Sequence, residues 1–270
     1  MSQVTWNGNP NYAMKKPHFG NAMTDGDEAK FLKELHNQAQ LQHPNCVRVY
    51  AVCMEKNNVF IITDWMHGGS LYERLARARG RAQVRAGASS GLGLSAQTRL
   101  QIARNMCDAL QYMHGNGMVH GDIKSLNVLL GKDGSAKLCD FGLNTMELSV
   151  TTAATSDTVG AVSWSAPEII LCQGQRHTPQ TDIYALGIVM WELLTCALPF
   201  EGLEIPQVIE QLVGNQRPPI PDPIPPGFPA AYVTLMTRCW DKDPANRPSA
   251  AEAHQCMIDL DLRTQRNQPV

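Results

Sequence analysis

The sequence predicts an α+β protein of two unequal units: a small one that mixes strands with one helix, and a larger, mainly helical one. Three observations carry this. Strand-like runs at 12 to 16, "VRVYAVCM" and "VFIITDW" surround one helical period over residues 27 to 42. From about residue 67 the apolar spacing is helical. The run "DIYALGIVMWELL", 182 to 194, is apolar nearly all round, which places a helix in the middle of the second unit. The expected units are 1–66 and 67–270.

Each element has a local reason. Phe31, Leu32, Leu35 and Ala39 form the apolar stripe of the first helix, and "EKNN" is the turn between the next two strands. Residues 76–95, rich in Ala, Gly, Arg and Ser, read as a flexible insertion. The Arg-rich run of Arg74, Arg77, Arg79, Arg81 and Arg85 suits a solvated helix end and linker; docking of an acidic substrate or nucleic acid is the alternative. Ser95 caps a helix whose buried face is Leu100, Ala103, Cys107, Leu110 and Met113, and Gly115 stops it. "RPPIPDPIPPGFP", 217 to 229, is expected to run extended over the surface. Ser249 and Glu252 form a capping box for a last helix.

Composition sets outer limits. With 270 residues, 43% apolar and 18% charged, the chain can bury a large core. A net charge of -2 gives no reason to expect nucleic acid as a partner. Eight scattered cysteines fit neither a zinc site nor a disulfide framework and read as reduced thiols in a cytoplasmic protein. There is no secretory leader at "MSQVTWNGNPNY" and no run of 18 apolar residues to span a membrane. Oligomeric state is not legible.

The chemistry concentrates in "HGDIKSLNVLL", 120 to 130, followed by "GKDGSAKLCDFG". Asp133-Gly134 between two apolar runs predicts a hairpin. A two-residue turn there pairs Leu130 with Lys137 and Val128 with Cys139, so that Asn127 faces Asp140 with Asp122 one short loop away. Taken singly, these residues could cap a turn or end a strand. Together, two carboxylates and an amide oxygen suit a hard cation such as Mg²⁺, and Mg²⁺ suggests a phosphate substrate.

With these residues in view, the chain resembles the eukaryotic protein kinase domain from Tyr12 to about Leu262. "HGDIKSLN" resembles H-R-D-L-K-x-x-N, "DFG" (140–142) the metal-binding motif, "APE" (166–168) the end of the activation segment, and "YAMK" (12–15) the strand V-A-I-K. "HPN", "DIYALG" and "NRPS" follow in the family's order. The resemblance implies a two-lobed fold, with ATP and Mg²⁺ as cofactors and a protein substrate. Asp122 would orient the substrate hydroxyl, Lys124 would neutralise the transferring phosphate, and Asn127 and Asp140 would hold the metal. Lys15, paired with Glu34, would grip the phosphates. Ala13, Thr63, Asp64, Met66 and Leu129 would meet the rest of the nucleotide, with Thr63 as gatekeeper. Glu168 and Arg247 would form a buried ion pair, and Asp182 would tie the central helix to the catalytic loop. Lys124 and the hydroxyl-rich, tyrosine-free segment 140–168 point to serine/threonine specificity; "HGDIKSLN", "WSAPE" and "RCWDKDPANRPS" look most like the tyrosine-kinase-like group.

The departures are equally specific. Only Gly8 precedes Lys15, so the family's glycine-rich loop and first strand are not matched. The expectation is either a natural chain longer at its N-terminus or a pseudokinase scaffold that binds ATP weakly. Gln38 stands in a column, with Val49, His120 and Phe141, where the family has an apolar residue. Ala161 replaces a usual threonine. Gly121 replaces the arginine that clamps a phosphorylated activation segment.

Overall fold

The computed structural model describes residues 2–6, 8–16, 33, 35–36, 38–55, 58–84, 94–140, 162–171 and 176–266. Four strands, β1 (Ser2–Trp6), β2 (Asn9–Lys15), β3 (Val49–Glu55) and β4 (Asn58–Asp64), form one antiparallel sheet in the order β1-β2-β4-β3. Period-two alternation divides its faces. Ala13, Val49, Val59, Ile61 and Thr63 are buried. Tyr12 instead meets Trp6 and Tyr50 edge-on, with ring centroids 5.3 and 4.9 Å away. Residues 33, 35–36 and 38–40 are helical, with Leu35 and Gln38 buried.

The rest is mainly helical: α1 (Leu71–Val84), α2 (Ala96–Gly115), α3 (Pro167–Leu171), α4 (Pro179–Thr195), α5 (Ile205–Val213), α6 (Ala230–Cys239) and α7 (Ala250–Arg266). A two-stranded hairpin, β5 (Val128–Leu130) with β6 (Ala136–Leu138), lies between α2 and α3 in sequence. Every residue of α4 from Thr181 to Leu194 is buried, as a helix apolar all round requires. Helices α2 and α6 pack on it, and α7 packs on α2. The Ser95 cap on Thr98 N and the Ser249–Glu252 box form as expected. Residues 217–229 carry no regular element, and Pro219 O accepts the Trp191 Nε1–H at 2.8 Å, which fastens the segment to α4.

Two expectations are corrected. Residues 76–84, expected in a flexible insertion, continue helix α1. Ala and Arg are strong helix formers, and Leu71 and Leu75 anchor the helix in the core, which outweighs one interior glycine. Arg74 and Arg77 are exposed, while Arg79 donates to Cys196 O at 3.1 Å. Residues 85–93 lie outside the described residues. The hairpin register is also shifted by one: Val128 pairs with Leu138, Leu129 with Lys137 and Leu130 with Ala136. Gly131 N donates to Ser135 O, so the loop has three residues and closes through Gly134 at φ 83°. Cys139, not Asp140, therefore bonds to Asn127 along the backbone.

The small sheet is joined to the helical part through this hairpin. On one side Val47 N donates to Leu138 O and Leu138 N to Asn45 O, both at 2.8 Å. On the other, Gly68 N donates to Leu130 O at 2.8 Å and Leu130 N to Gly69 O at 2.9 Å. A Cβ on Gly68 would lie 2.7 Å from Leu130 O, so only glycine admits this approach. We expect Gly68→Ala to break this edge and destabilise the protein by about 1–3 kcal/mol in denaturant unfolding.

Arg247, 3% exposed, binds Glu168 through two parallel bonds of 2.6 and 2.9 Å and also donates to Gln180 O and Asp241 O. Truncating Glu168 to Ala leaves the guanidinium's charge buried and is expected to cost about 3–5 kcal/mol, measured the same way.

Glu192, fully buried in α4, has its carboxyl pushed up to about 8 from 4.5 by desolvation, against the hydrogen bonds it accepts from Trp164 and Ser125. Because the folded form holds the proton more tightly than the unfolded one, this stabilisation is complete below about pH 4.5 and is lost as pH rises through about 8. Glu192→Gln should flatten stability against pH across that window, measured by urea unfolding at each pH.

Candidate active site

The stretch from His120 to Asn127 is held from beneath by α4. Asp182, in its first turn and 1% exposed, accepts the backbone N–H of His120 and of Gly121, each at 2.8 Å. His114 Nε2 lies 2.9 Å from the same carboxylate. Gly121 has φ 76°, a left-handed conformation that costs a residue with a Cβ about 1–2 kcal/mol. His120 Nδ1 accepts the Asp122 N–H at 3.2 Å, turning the chain so that Asp122 leaves the buried layer while Ile123 enters it.

The polar groups that follow are tightly organised. Asn127, 6% exposed, gives its amide hydrogens to Asp122 O at 2.8 Å and Asp122 Oδ2 at 2.7 Å. Lys124 Nζ lies 2.7 Å from the same Oδ2. One carboxylate is thus fixed by an amide and an ammonium, and mostly buried, with 12% of its side chain exposed. Across the site, Lys15 Nζ pairs with Asp140 Oδ1 at 2.6 Å, the two side chains being 26% and 30% exposed. Asp140 has φ 62°, a left-handed conformation that Asp tolerates better than most side chains, and in it the carboxylate meets Lys15.

These residues fit a nucleotide with its metal. Because the Asn127 nitrogen faces Asp122, its amide oxygen is turned to the other side, free to serve as a ligand. With the Asp140 carboxylate it makes the sparse oxygen set that Mg²⁺ takes when substrate phosphates complete the shell. Among the described residues no cluster of three or more His, Cys, Asp or Glu side chains could hold a metal. Ala13, wholly buried, lies beside Thr63 in the β2–β4 register, and Leu129 bridges to Ser70 just beyond Met66. The N–H groups of Asp64 and Trp65 are committed to Arg48 O and Asn11 O. Met66 is the residue of that stretch whose N–H makes no bond among the described residues.

The sequence-predicted residues are accordingly sorted by the structure. Asp122, Lys124 and Asn127 converge, and Lys15 meets Asp140. Glu34 lies outside the described residues, as do Phe141, Ala161 and the hydroxyls from Thr145 to Thr158. Three features escaped sequence reasoning. The side chain of Asp64 accepts from Tyr50 Oη and Lys137 Nζ, both at 2.8 Å, and so ties β4 to β6. Asn45 Nδ2 donates to Ala136 O at 2.9 Å. Glu192 bridges Ser125 and Trp164. Only a "WEL" inside an apolar helix hinted at the last, as a lone carboxylate with nowhere to go but an internal partner.

Comparison with known proteins identifies the family. The family described as protein tyrosine and serine/threonine kinase matches residues 7–257. A probable serine/threonine-protein kinase of Dictyostelium discoideum is 35% identical over 83% of this chain and 22% of its own length. The serine/threonine/tyrosine-protein kinase HT1 of Arabidopsis thaliana is 33% identical over 82% of this chain and 52% of its own. The tyrosine-protein kinase transforming protein Abl of Abelson murine leukemia virus is 31% identical over 84% and 28%. The chain spans about half or less of the length of these relatives. It belongs to the protein tyrosine and serine/threonine kinase family.

Proposed function

We propose that the protein transfers the γ-phosphate of ATP, with Mg²⁺, to serine or threonine hydroxyls of protein substrates. The observation that carries this reading is the Asp122 carboxylate held by both Lys124 and Asn127 opposite the Lys15–Asp140 pair. ATP supplies the phosphoryl group, and Mg²⁺ offsets the charge of its phosphates. Asp122 accepts a hydrogen bond from the incoming hydroxyl and takes its proton late in the transfer. Lys124, already against Asp122, is placed to meet negative charge between that carboxylate and the phosphate. Lys15 would grip a phosphate oxygen, and Asp140, now paired with it at 2.6 Å, would hold the metal together with Asn127. In this reading 1–66 and 67–270 are the two lobes and 140–168 is the activation segment, in a cytoplasmic protein. Among the described residues no helix is long and apolar enough to cross a membrane.

Serine/threonine specificity rests on Lys124 and on the hydroxyl-rich segment 140–168; the relatives' names include both serine/threonine and tyrosine kinases. A scaffold without chemistry is the second reading, favoured by Gln38, 4% exposed at a place expected to be apolar. Two measurements separate them. Phosphate transfer to a generic protein substrate should fall by about 10²–10⁴ in Asp122→Asn. Label incorporation no higher than in an Asp140→Asn control would refute the enzyme reading. Mg-ATP at a hundred times its Kd should stabilise the fold by ~2.7 kcal/mol, and an unshifted Tm at millimolar ATP would favour the scaffold.

Gly121 bears on control. It offers no guanidinium to a phosphate on Thr151, Thr152, Thr155, Ser156 or Thr158. Changing these hydroxyls together to Ala should leave transfer within about threefold of the unmodified rate. Loss of activity restored by acidic replacements would contradict this.

A further inference from the structure

Two histidines from distant parts of the chain face one carboxylate. His43, in the loop that leads into β3, puts its Nε2 3.6 Å from Asp108 Oδ1 on α2. His254, on α7, puts its Nδ1 3.7 Å from the same oxygen. The two rings are mostly buried, with side chains 13% and 16% exposed, while Asp108 is 35% exposed. Tyr112, one turn along α2 from Asp108, stacks on His43 with ring centroids 4.8 Å apart. Among the described residues, the titratable groups that face His43 are therefore Asp108 and Tyr112 from α2 and His254 from α7. His254 faces Asp108 and His43 in turn.

Hydrogen bonds fix which nitrogen carries the proton. The Asn45 N–H donates to His43 Nδ1 at 3.2 Å, so neutral His43 carries its hydrogen on Nε2, toward Asp108. His254 Nδ1 lies 2.7 Å from Gln111 Oε1, which only accepts, so its hydrogen sits on Nδ1. The next proton acts differently at each ring. On His254 it enters at Nε2 and leaves the Gln111 bond in place. On His43 it must enter at Nδ1, where it expels the Asn45 N–H. Burial holds His43 below its usual 6.5, with the Asp108 charge opposing that lowering and the His254 charge adding to it. The folded loop thus favours neutral His43. Its stabilisation is complete above pH 6.5 and is lost as pH falls through the lowered value.

Asn45 is where this loop holds the hairpin. Its carbonyl accepts the Leu138 N–H at 2.8 Å, and its Nδ2 donates to Ala136 O at 2.9 Å. We propose that His43, Asp108 and His254 form an acid-sensitive latch, in which protonation of His43 frees the Asn45 N–H and loosens the 43–47 loop from β6. The first proton goes to His254, where it displaces no bond and strengthens the attraction to Asp108. The second goes to His43 and opens the loop. The sheet that carries Lys15 then loses one of its two backbone attachments to the hairpin that precedes Asp140. As control of phosphate transfer this rests on the reading of 120–127 as a phosphotransfer site; the latch itself does not.

The test takes the full chain from about pH 7.5 to about pH 5.5, the range in which histidine changes charge. Amide protection by mass spectrometry, corrected for the intrinsic pH dependence of exchange, should fall about threefold or more at 45–47 and 136–138 and hold in α4. His43→Asn, whose amide oxygen replaces Nδ1 as an acceptor and does not titrate, should keep that protection level. His254→Asn, which removes the competing charge, should move the loss to higher pH. Asp108→Asn should move it to lower pH. Protection unchanged over the range, a loss shared by α4, or the same loss in His43→Asn would each overturn the latch. Phosphate transfer followed in parallel should fall with the protection in the unmodified chain and resist in His43→Asn. A fall shared equally by that variant would refute control of transfer through the latch. Absence of transfer at every pH would instead refute the phosphotransfer reading, while exchange would still decide the latch.

Discussion

The grip of one buried helix on one loop is the constraint on which the geometry of the candidate site depends. Asp182 sits in the first turn of α4, where the helix dipole favours a carboxylate, and accepts two consecutive loop amides. The His120 amide is buried and the Gly121 amide partly so, and a buried N–H left without an acceptor costs about 1–3 kcal/mol. The loop backbone therefore has one low-energy position, and Asp122, Lys124 and Asn127 inherit it. The apolar surface that puts α4 at the centre of the core packs it on all sides, which suits a support for polar groups that must be placed closely.

The second constraint is the hairpin β5–β6, paired on both edges by chain from the small sheet's neighbourhood. Asn45 and Val47 bond to Leu138, and Gly68 and Gly69 bond to Leu130. Added to these is the Lys137–Asp64 ion pair, the side chains 25% and 17% exposed, whose worth is modest at that exposure. Together they fix where Lys15, on β2, stands relative to Asp140, just past β6. The 2.6 Å contact of those two residues is thus a product of sheet register and hairpin register, not of either side chain alone.

Much of this was legible in the sequence, for reasons specific to each element. Helices α2 and α4 declare themselves by long apolar runs, α2 also by its cap at Ser95, and α7 by the Ser249-Glu252 box. The site was legible because Asp122, Lys124, Asn127 and Asp140 crowd around two strands of three residues each. What failed were features decided by tertiary context. The Asp133-Gly134 signal predicts a hairpin but the wrong loop length, because Ser135 closes the loop with Gly131, which leaves three residues in the turn where two are expected. Asn127 was expected to face Asp140 by register, whereas its bonds run to Asp122. The stretch 76–95 reads as a flexible insertion from its Ala, Gly, Arg and Ser content, yet residues 76–84 continue the helix that Leu71 and Leu75 anchor. The Ser125–Glu192–Trp164 bridge joins positions 28 to 67 apart in the chain, and no local pattern announces it.

The most direct measurement is a crystal structure of this chain with Mg²⁺ and a non-hydrolysable ATP analogue. The account predicts nucleotide between the small sheet and the β5–β6 hairpin, metal held by Asn127 and Asp140, and the Lys15 ammonium released from Asp140 to a phosphate. Nucleotide bound elsewhere, or bound there with the Lys15–Asp140 pair intact and no metal on Asn127, would contradict it.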